Sequence, residues 1–228
     1  MFELAQVSKT YRRRGQEVTA FSTPSLSIAK GEYTAIVGPS GCGKTTLLSM
    51  LGGMLSPDAG DVRFCGQSIY KLSVTERAQL RRERIGFVFQ TFNLLPYLTA
   101  IENVQVPLFL VGHNKSEGRE IAAALLSSVG LGNRLDHKPS ELSTGQQQRV
   151  AVARTLANNP EVILADEPTG NLDPESREQI LTMFDDFVRD GKTVIMVTHD
   201  AAAASRSHRQ LRLIDGRIEN EGRLKAVA

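Results

Sequence analysis

The eight residues from Gly38 to Thr45, GPSGCGKT, combine three glycines with a lysine and a hydroxyl side chain in the spacing G-x-x-x-x-G-K-[ST]. Glycines allow consecutive backbone N–H groups to converge on one point, which makes a concavity that favours an anion. A helix that starts directly after the loop would add the partial positive charge of its N-terminus. The spacing therefore predicts a nucleotide site, in which Lys44 reaches the β- and γ-phosphates and the Thr45 hydroxyl ligates Mg²⁺.

This predicted loop also contains a cysteine, Cys42. A helix N-terminus can lower the pKa of a thiol, so a thiol reagent would then block nucleotide binding. The alternative is that Cys42 is only a small residue that fills the loop. The residues expected to contact the nucleotide here are Gly38, Pro39, Ser40, Gly41, Cys42, Gly43, Lys44, Thr45 and Thr46.

Two carboxylates follow an apolar run at the sequence VILADE, Val162 to Glu167. A parallel strand covered by helices is apolar throughout, and ligands bind beyond its carboxyl end. We expect Asp166 to hold Mg²⁺, mostly through water, and Glu167 to act as the general base on the attacking water. Alone, such a pair is more often a surface turn, but here it follows a complete phosphate loop.

Two more polar residues follow apolar runs: Gln90 after GFVF and His199 after VIMVT. Each alone is more often an ordinary polar residue, but strands of one parallel sheet would deliver both beside the γ-phosphate. We expect His199 to bind the γ-phosphate and Gln90 to sense Mg²⁺ or water. The predicted catalytic residues are therefore Glu167, His199 and Gln90, and the predicted metal ligands are Thr45, Gln90 and Asp166.

The elements that must position these residues follow an α/β pattern. Strands are predicted at FELAQVSK, VTAFSTPSLSIA, YTAIVG, DVRFCGQSI, GFVFQ, VILADEP and TVIMVTH, and helices after Gly43, over SVTERAQLRRERIG and over residues 175–189. The second of these helices has the capping-box pair Ser73 and Glu76 and a glycine, Gly86, expected just past its end. From about residue 91 to 159 strand signals disappear and helical periods dominate. The pattern predicts an α/β core interrupted by a helical insertion.

Bulk properties exclude several classes of protein. The 228 residues are 41% apolar and 23% charged. The net charge of +2 is nearly neutral, so the composition does not indicate a nucleic-acid-binding protein. Two cysteines form neither a disulfide framework nor a metal cluster. The apolar runs are too short to cross a bilayer, and the N-terminus lacks the features of a signal peptide. We expect a cytoplasmic protein that does not insert into the membrane.

The stretch ELSTGQQQRV, Glu141 to Val150, looks like the start of a helix, because Ser143 and Gln146 have the capping-box spacing. With this stretch included, the order of motifs resembles that of the ATP-binding subunit of an ABC transporter over nearly the whole chain. GPSGCGKT resembles the Walker A loop, VILAD the Walker B strand, LSTGQ (142–146) the family signature and GNLD (170–173) the D-loop. Tyr11 resembles the aromatic residue that stacks on adenine, Gln90 the Q-loop residue and His199 the switch histidine.

The resemblance implies an α/β fold: a RecA-like P-loop NTPase core with an N-terminal antiparallel β subdomain and an inserted α-helical subdomain. It implies one ATPase domain over residues 1–228, with the core at approximately 1–90 and 160–228 and the insertion at approximately 91–159. ATP and Mg²⁺ are the implied cofactors. It also implies a head-to-tail homodimer, in which each ATP lies between the Walker A loop of one copy and the signature of the other, contacted by Ser143, Gly145 and Gln146, with Asp173 at the seam.

Two stretches, QTFNLLPYLTAIENVQVPL (90–108) and ADEPTGNLD, resemble the LolD/MacB/FtsE group. There a separate transmembrane permease moves lipoproteins, drugs or peptides, or acts on the cell wall, and the ATPase lies peripherally on the cytoplasmic side of the inner membrane. The segment after Gln90 would then bind a cytoplasmic helix of the permease. The alternative is that its apolar residues only pack the insertion against the core. Those residues are Phe92, Leu94, Leu95, Pro96 and Leu98.

One position departs from the family pattern: Thr144 replaces the first glycine of the signature. A β-branched residue disfavours positive φ, so we expect an ordinary backbone at this position. Three alternatives stay open: an FtsE-like cell-division ATPase, a soluble ABC-type ATPase without a membrane partner, and a regulatory module that holds ATP without hydrolysing it. Soluble members usually carry two cassettes or a coiled coil, which 228 residues do not accommodate. Glu167 and His199 argue against the regulatory module.

Overall fold

One mixed sheet organises the computed structural model, which describes residues 1–13 and 15–223. Its strands are β1 (Phe2–Arg13), β2 (Gln16–Ile28), β3 (Tyr33–Val37), β4 (Ala59–Phe64), β5 (Gln67–Ser68), β6 (Ile85–Phe89), β7 (Val162–Asp166), β8 (Thr193–Thr198), β9 (Arg209–Ile214) and β10 (Arg217–Arg223). The α-helices are α1 (Lys44–Leu51), α2 (Val74–Arg84), α3 (Ala100–Leu110), α4 (Lys115–Ser128), α5 (Thr144–Leu156), α6 (Pro174–Arg189) and α7 (Ala201–Ala204). The strands lie in the order β5-β4-β1-β2-β10-β9-β3-β8-β7-β6.

Strands β9, β3, β8, β7 and β6 form the parallel half of the sheet. Every residue of β8 is buried, as in a strand that is covered on both faces. The register places Phe89 opposite Asp166, and Asp166 opposite Val197. The carboxyl ends of β6, β7 and β8 therefore meet at one edge, as the predicted α/β core requires.

The other half of the sheet is the antiparallel set β5-β4-β1-β2. A parallel pairing between Arg217 of β10 and Ser22 of β2 joins the two halves. The run DVRFCGQSI, predicted as one strand, is divided into β4 and β5, because Cys65 (φ 50°) and Gly66 (φ 82°) form a tight turn. Two residues with positive φ are typical of such hairpin turns.

Between β6 and β7 the chain forms three helices, α3, α4 and α5, in the segment where helical periods dominate the sequence. They bury a core of their own, which includes Ile101, Val104, Leu126 and Val150. The exact division into core and insertion remains a prediction.

The capping box of α2 is confirmed, and Gly86 lies just past the end of the helix as predicted, but it does not have the positive φ of a glycine cap. Ser73 accepts a hydrogen bond from the Glu76 N–H, and the Glu76 side chain accepts one from the Ser73 N–H. The helix ends at Arg84, and Gly86 is the second residue of β6. A Cβ at Gly86 would lie 2.5 Å from Cγ2 of Thr155, so the glycine allows α5 to pack closely on the strand.

Candidate functional site

The phosphate loop connects β3 to α1 and is held in one shape by its glycines. Gly41 and Gly43 have φ values of 80° and 104°, which side chains disfavour. A Cβ at Gly43 would also lie 1.9 Å from the carbonyl oxygen of Ala20. Lys44 is buried, and its Nζ donates to the carbonyl oxygens of Gly38 (2.8 Å) and Pro39 (3.0 Å). The ammonium group therefore lies against the loop itself.

A hairpin that is not among the strands predicted above supports this loop. Strands β9 and β10 turn at Asp215 and Gly216, which have φ values of 45° and 75°. The Gly216 N–H donates to the carbonyl oxygen of Cys42 (2.9 Å), and the Ser22 N–H donates to that of Gly216 (2.7 Å). The Asp-Gly pair between alternating apolar residues in LRLIDGRIE is a hairpin signal that sequence reasoning missed. Cys42 itself is 5% exposed and packs in the main core.

A groove of about 680 Å³ opens beside the loop, a size typical of small-molecule sites. Tyr11 and Val18 of the first hairpin line one side, and both side chains are about half exposed. Lys44, Thr45 and Thr46 line the other. The predicted adenine-stacking residue is therefore brought beside the predicted phosphate residues.

The two carboxylates after β7 have different surroundings. The Thr45 hydroxyl donates to Oδ1 of Asp166 at 3.3 Å, so the predicted metal ligands from α1 and β7 meet. Burial raises the pKa of Asp166 above its ordinary value, and the charge of Glu167 adds to this effect. Glu167 has a positive φ of 46°, an uncommon conformation for a residue with a side chain.

His199 lies directly against Glu167. Its Nδ1 is 3.0 Å from Oε2 of Glu167, and its backbone N–H donates to the same oxygen at 3.3 Å. The imidazole is 65% exposed at the side chain, whereas the glutamate is 15% exposed. The histidine therefore restrains the carboxylate while its ring stays open to a ligand.

Mg²⁺ fits the residues at this edge of the sheet. The described residues contain no group of three or more His, Cys, Asp or Glu side chains that would form a cage for a metal. Mg²⁺ in phosphate-transfer sites usually takes one or two carboxylates together with substrate phosphates, and hydroxyl and carboxylate oxygens suit it. Thr45 and Asp166 supply that set.

Gln90 follows Phe89, the residue opposite Asp166, and so lies at the same edge. Its Nε2 is 3.4 Å from Oδ1 of Asn171, and Asn171 Nδ2 donates to the carbonyl oxygen of Gln90 at 3.3 Å. The amide side chain thus faces the GNLD loop in this structure. Sequence reasoning did not single out Asn171, because nothing local links it to Gln90.

The signature stretch forms the start of α5, with the predicted capping box confirmed. Ser143 Oγ accepts from the Gln146 N–H (3.3 Å), and Gln146 Oε1 accepts from the Ser143 N–H (3.0 Å). Thr144 is the first helical residue and has no positive φ, as its β-branched side chain predicts. A Cβ at Gly145 would lie 2.1 Å from Oγ of Ser176, so α5 and α6 nearly touch there.

Asp173 caps α6 by accepting from the Ser176 N–H at 2.9 Å, and the hydrogen bonds from Ser176 hold the pKa of Asp173 below its ordinary value. Across the described part of the chain, no hydrogen bond or ion pair joins Ser143, Gly145 or Gln146 to the phosphate loop. The structure therefore gathers Tyr11, the loop, Asp166, Glu167 and His199 around one region, with Gln90 at its margin. It does not bring the signature to them.

Comparison with known proteins identifies the family of this chain. Residues 21–170 match the family model described as ABC transporter. The chain is 48% identical over 97% of its length to a macrolide export ATP-binding/permease protein MacB of Syntrophobacter fumaroxidans, but covers 31% of that protein. It thus spans about a third of the MacB relatives that it matches. It is also 47% identical to an uncharacterized ABC transporter ATP-binding protein of Thermotoga maritima, over 96% of this chain and 94% of that protein.

Among solved structures, the chain resembles a dimeric post-hydrolysis state of the ATP-binding cassette MJ0796 bound to ADP and Pi. The TM-score is 0.93 at 42% identity, and the match covers 99% of this chain and 100% of that one. A second structure of the same cassette, also dimeric, gives a TM-score of 0.92. The chain belongs to the ABC transporter family and is one of its ATPase domains.

Proposed function

We propose that this chain binds Mg-ATP at the phosphate loop and hydrolyses it to ADP and phosphate. The observation that carries the proposal is the meeting of Lys44, Thr45, Asp166, Glu167 and His199 at one sheet edge. Lys44 and the loop N–H groups hold the β- and γ-phosphates. Thr45 and Asp166, with Gln90 nearby, hold Mg²⁺, which when bound neutralises charge on the phosphates. Tyr11 stacks on the adenine.

In this proposal Glu167 is the general base. Its carboxylate takes a proton from water as the water oxygen attacks the γ-phosphorus, and the β–γ bridging oxygen leaves with ADP. His199 lies within hydrogen-bond distance of the same carboxylate, so it keeps Oε2 in place and offers its exposed ring to the γ-phosphate. A base held at a fixed position contributes through orientation as well as through proton transfer.

The signature completes the site only from a second copy. The Ser143 hydroxyl oxygen already accepts the Gln146 N–H, which leaves its O–H free to donate to a phosphate. The N-terminus of α5 adds a favourable dipole and unpaired N–H groups. Because these groups lie away from their own phosphate loop, we propose a head-to-tail homodimer with two equivalent ATP sites. Asp173, next to the signature through Ser176, lies at the seam. The dimeric cassettes that this chain resembles support the arrangement.

A membrane partner is proposed for the apolar groove between α3, α5 and β6. The groove measures about 590 Å³, and its walls include Met54, Phe87, Leu95 and Leu110. The segment after Gln90 forms one side, where Arg154 donates to the carbonyl oxygens of Phe92 (2.8 Å) and Asn93 (2.6 Å).

The apolar residues of this segment divide into two groups. Phe92 and Leu94 pack against the cores and Leu98 is half-buried, whereas Leu95 and Pro96, with the neighbouring Tyr97, are exposed. We propose that a cytoplasmic helix of a separate permease fits the groove. The arginines Arg81, Arg82 and Arg154 line it as well, so acidic residues on that helix would be favoured.

The finer function that we propose is that of the LolD/MacB type: hydrolysis at the cytoplasmic face of the inner membrane drives a conformational change in the permease for lipoprotein release or for drug or peptide export. The MacB names of the relatives support it. In residues 1–13 and 15–223 no helix is long and apolar enough to cross a bilayer.

Phosphate release by the purified chain tests the enzymatic part. Wild type should release phosphate from Mg-ATP, and Glu167→Gln should lower kcat by about 100-fold or more, as for loss of a general base. Equal rates for the two proteins would refute the assignment of Glu167.

Co-purification from membranes tests the partner. Leu110→Glu, which places a charge in the groove, should release the chain from membranes, whereas Val74→Glu, at an equally exposed apolar position outside the groove, should not. If Leu110→Glu stays bound as well as Val74→Glu, the groove is not the docking site. The transmembrane helices and extracytoplasmic domain of the co-purifying protein would distinguish an exporter from a cell-division complex.

A further inference from the structure

Gln148 is buried where α5 crosses the carboxyl ends of β6 and β7. Its side chain is 0% exposed, and its Nε2 donates to the carbonyl oxygens of Pro168 (2.6 Å) and Phe89 (3.4 Å). Phe89 directly precedes Gln90, and Pro168 directly follows Glu167. We propose that Gln148 is a positioning residue: it holds the backbone next to Glu167 and next to Gln90 in the arrangement that hydrolysis requires. The inference rests on the proposed function.

The chemistry of the contact requires a donor. Both partners of Gln148 are carbonyl oxygens, which only accept, and an amide NH₂ has two hydrogens to give. The short distance to Pro168 makes that bond the main one, so it holds chiefly the Pro168–Thr169 peptide, one residue beyond Glu167. An apolar side chain of the same length would fill the space but would leave these carbonyls without this donor.

The backbone of Glu167 needs such a hold. Its φ of 46° is in the left-handed region, where a side chain is disfavoured and which persists only when the surroundings enforce it. The Glu167 N–H donates to the carbonyl oxygen of Val197 (2.9 Å), and the Gly170 N–H donates to that of Glu167 (3.1 Å). Gln148 adds the bond to Pro168. The general base is thus fixed by hydrogen bonds before, at and after its own peptide.

The amide contributes at its nitrogen and not at its oxygen. Gln148 Oε1 is buried and has no hydrogen-bond partner among the described residues, and a buried unpaired acceptor costs free energy. Methionine has a similar length and would remove that acceptor, but it would leave the carbonyl oxygens of Pro168 and Phe89 without this donor. The Nε2 donor is therefore what a methionine variant tests.

Gln148 also connects the signature to the site within one chain. It lies on α5, one turn after Thr144, so a displacement of the helix when the signature meets a nucleotide would move the Pro168–Thr169 peptide. The neighbouring Gln147 does not make this connection: its Nε2 donates to the carbonyl oxygen of Leu142 at 3.0 Å. Gln147 is therefore a matched control for the same amide at the adjacent position.

Steady-state hydrolysis by Gln148→Met and Gln147→Met tests the proposal. Because a misplacement of about 1 Å can cost about 100-fold, we expect Gln148→Met to lower kcat by about 30- to 100-fold with KM within about threefold of wild type. Gln147→Met should stay within about threefold in both. The proposal is overturned if Gln148→Met keeps its kcat, if it raises KM alone, or if both variants lose kcat equally.

Two further variants separate positioning from a failure to fold. In a Glu167→Gln background, Gln148→Met should lower the residual rate by less than about twofold, because the general base beside its main contact is gone and only the weaker contact beside Gln90 is lost. A full additional loss would contradict the proposal. In Gln148→Glu, the introduced side chain can donate a hydrogen bond to the carbonyl oxygen of Pro168 only when its carboxyl group is protonated. Its kcat relative to wild type should therefore rise as pH falls, and a flat ratio would contradict the proposal. The Glu167→Gln comparison in otherwise wild-type protein tests the proposed function separately.

Discussion

Replacing Gly145 by alanine should destabilise the nucleotide-free protein through a clash inside its own chain. The added Cβ would lie 2.1 Å from Oγ and 2.6 Å from Cβ of Ser176. Rotation of the serine moves Oγ but not Cβ. Because carbon atoms pack at about 3.5–4.0 Å, α5 and α6 must separate by about 1 Å. Such overpacking costs about 1–3 kcal/mol, and a clash with Cβ, which no rotation relieves, belongs to the upper part of that range, about 2–3 kcal/mol. The higher helix propensity of alanine offsets about 1 kcal/mol of this cost. We expect a net loss of about 1–2 kcal/mol.

Thermal and denaturant unfolding measure this loss. For a domain of this size, 1 kcal/mol corresponds to about 2–4 °C, so Tm should fall by about 2–8 °C. In a Ser176→Gly background both clashing atoms are absent, and the same substitution should no longer destabilise. Gly118→Ala in α4 is the control, because its Cβ would lie no nearer than 3.3 Å to any neighbour, and that neighbour is the half-exposed Phe109 ring, so the change should be neutral or stabilising. An equal loss with and without Ser176 would refute the reasoning.

Three other predictions concern the site. Thr144→Gly should leave the ATPase rate within a few-fold of wild type, since the backbone there is already helical, whereas Ser143→Arg should abolish it; an inactive Thr144→Gly enzyme would show that the threonine matters. Asp166→Asn should unfold at a higher temperature than nucleotide-free wild type at pH 7. Because the pKa of Asp166 is raised in the native state, the native state binds this proton more tightly than the unfolded state, and the stability of wild type falls as pH rises above the ordinary aspartate pKa. The difference in stability between the two proteins should therefore vanish below about pH 3.9. An Asp166→Asn protein that is less stable than wild type at pH 7 would contradict this prediction. A thiol reagent should label the exposed Cys65 well before the buried Cys42, as peptide mapping would show, and equal labelling would mean that the loop opens.

The parts of the site that the sequence predicts are those that short-range interactions determine. The capping boxes at Ser73 and Ser143 form because the pairs are three residues apart on a helix start. The helical backbone at Thr144 follows from its β-branched side chain. The strands β6, β7 and β8 were predictable because each is mainly apolar and leads into a polar residue, whereas β9, which is parallel to β3 but contains Arg209 and Arg212, was not predicted.

The parts that the sequence does not predict depend on distant segments. Gly86 looks like a helix stop, but Thr155, nearly seventy residues later, determines its role. Asn171 faces Gln90, and Gln148 reaches Pro168, across contacts that no local spacing records. The hairpin at Asp215 was the exception, since its turn signal is local and was overlooked.

Sedimentation of a hydrolysis-deficient protein shows whether two copies of this chain share their ATP sites. Glu167→Gln with Mg-ATP should sediment as a dimer, and as a monomer without nucleotide. Adding Ser143→Arg should return it to a monomer that still binds ATP, because the phosphate loop is intact and only the surface offered to the other copy has changed. A Glu167→Gln/Ser143→Arg protein that remains dimeric with Mg-ATP would contradict the account.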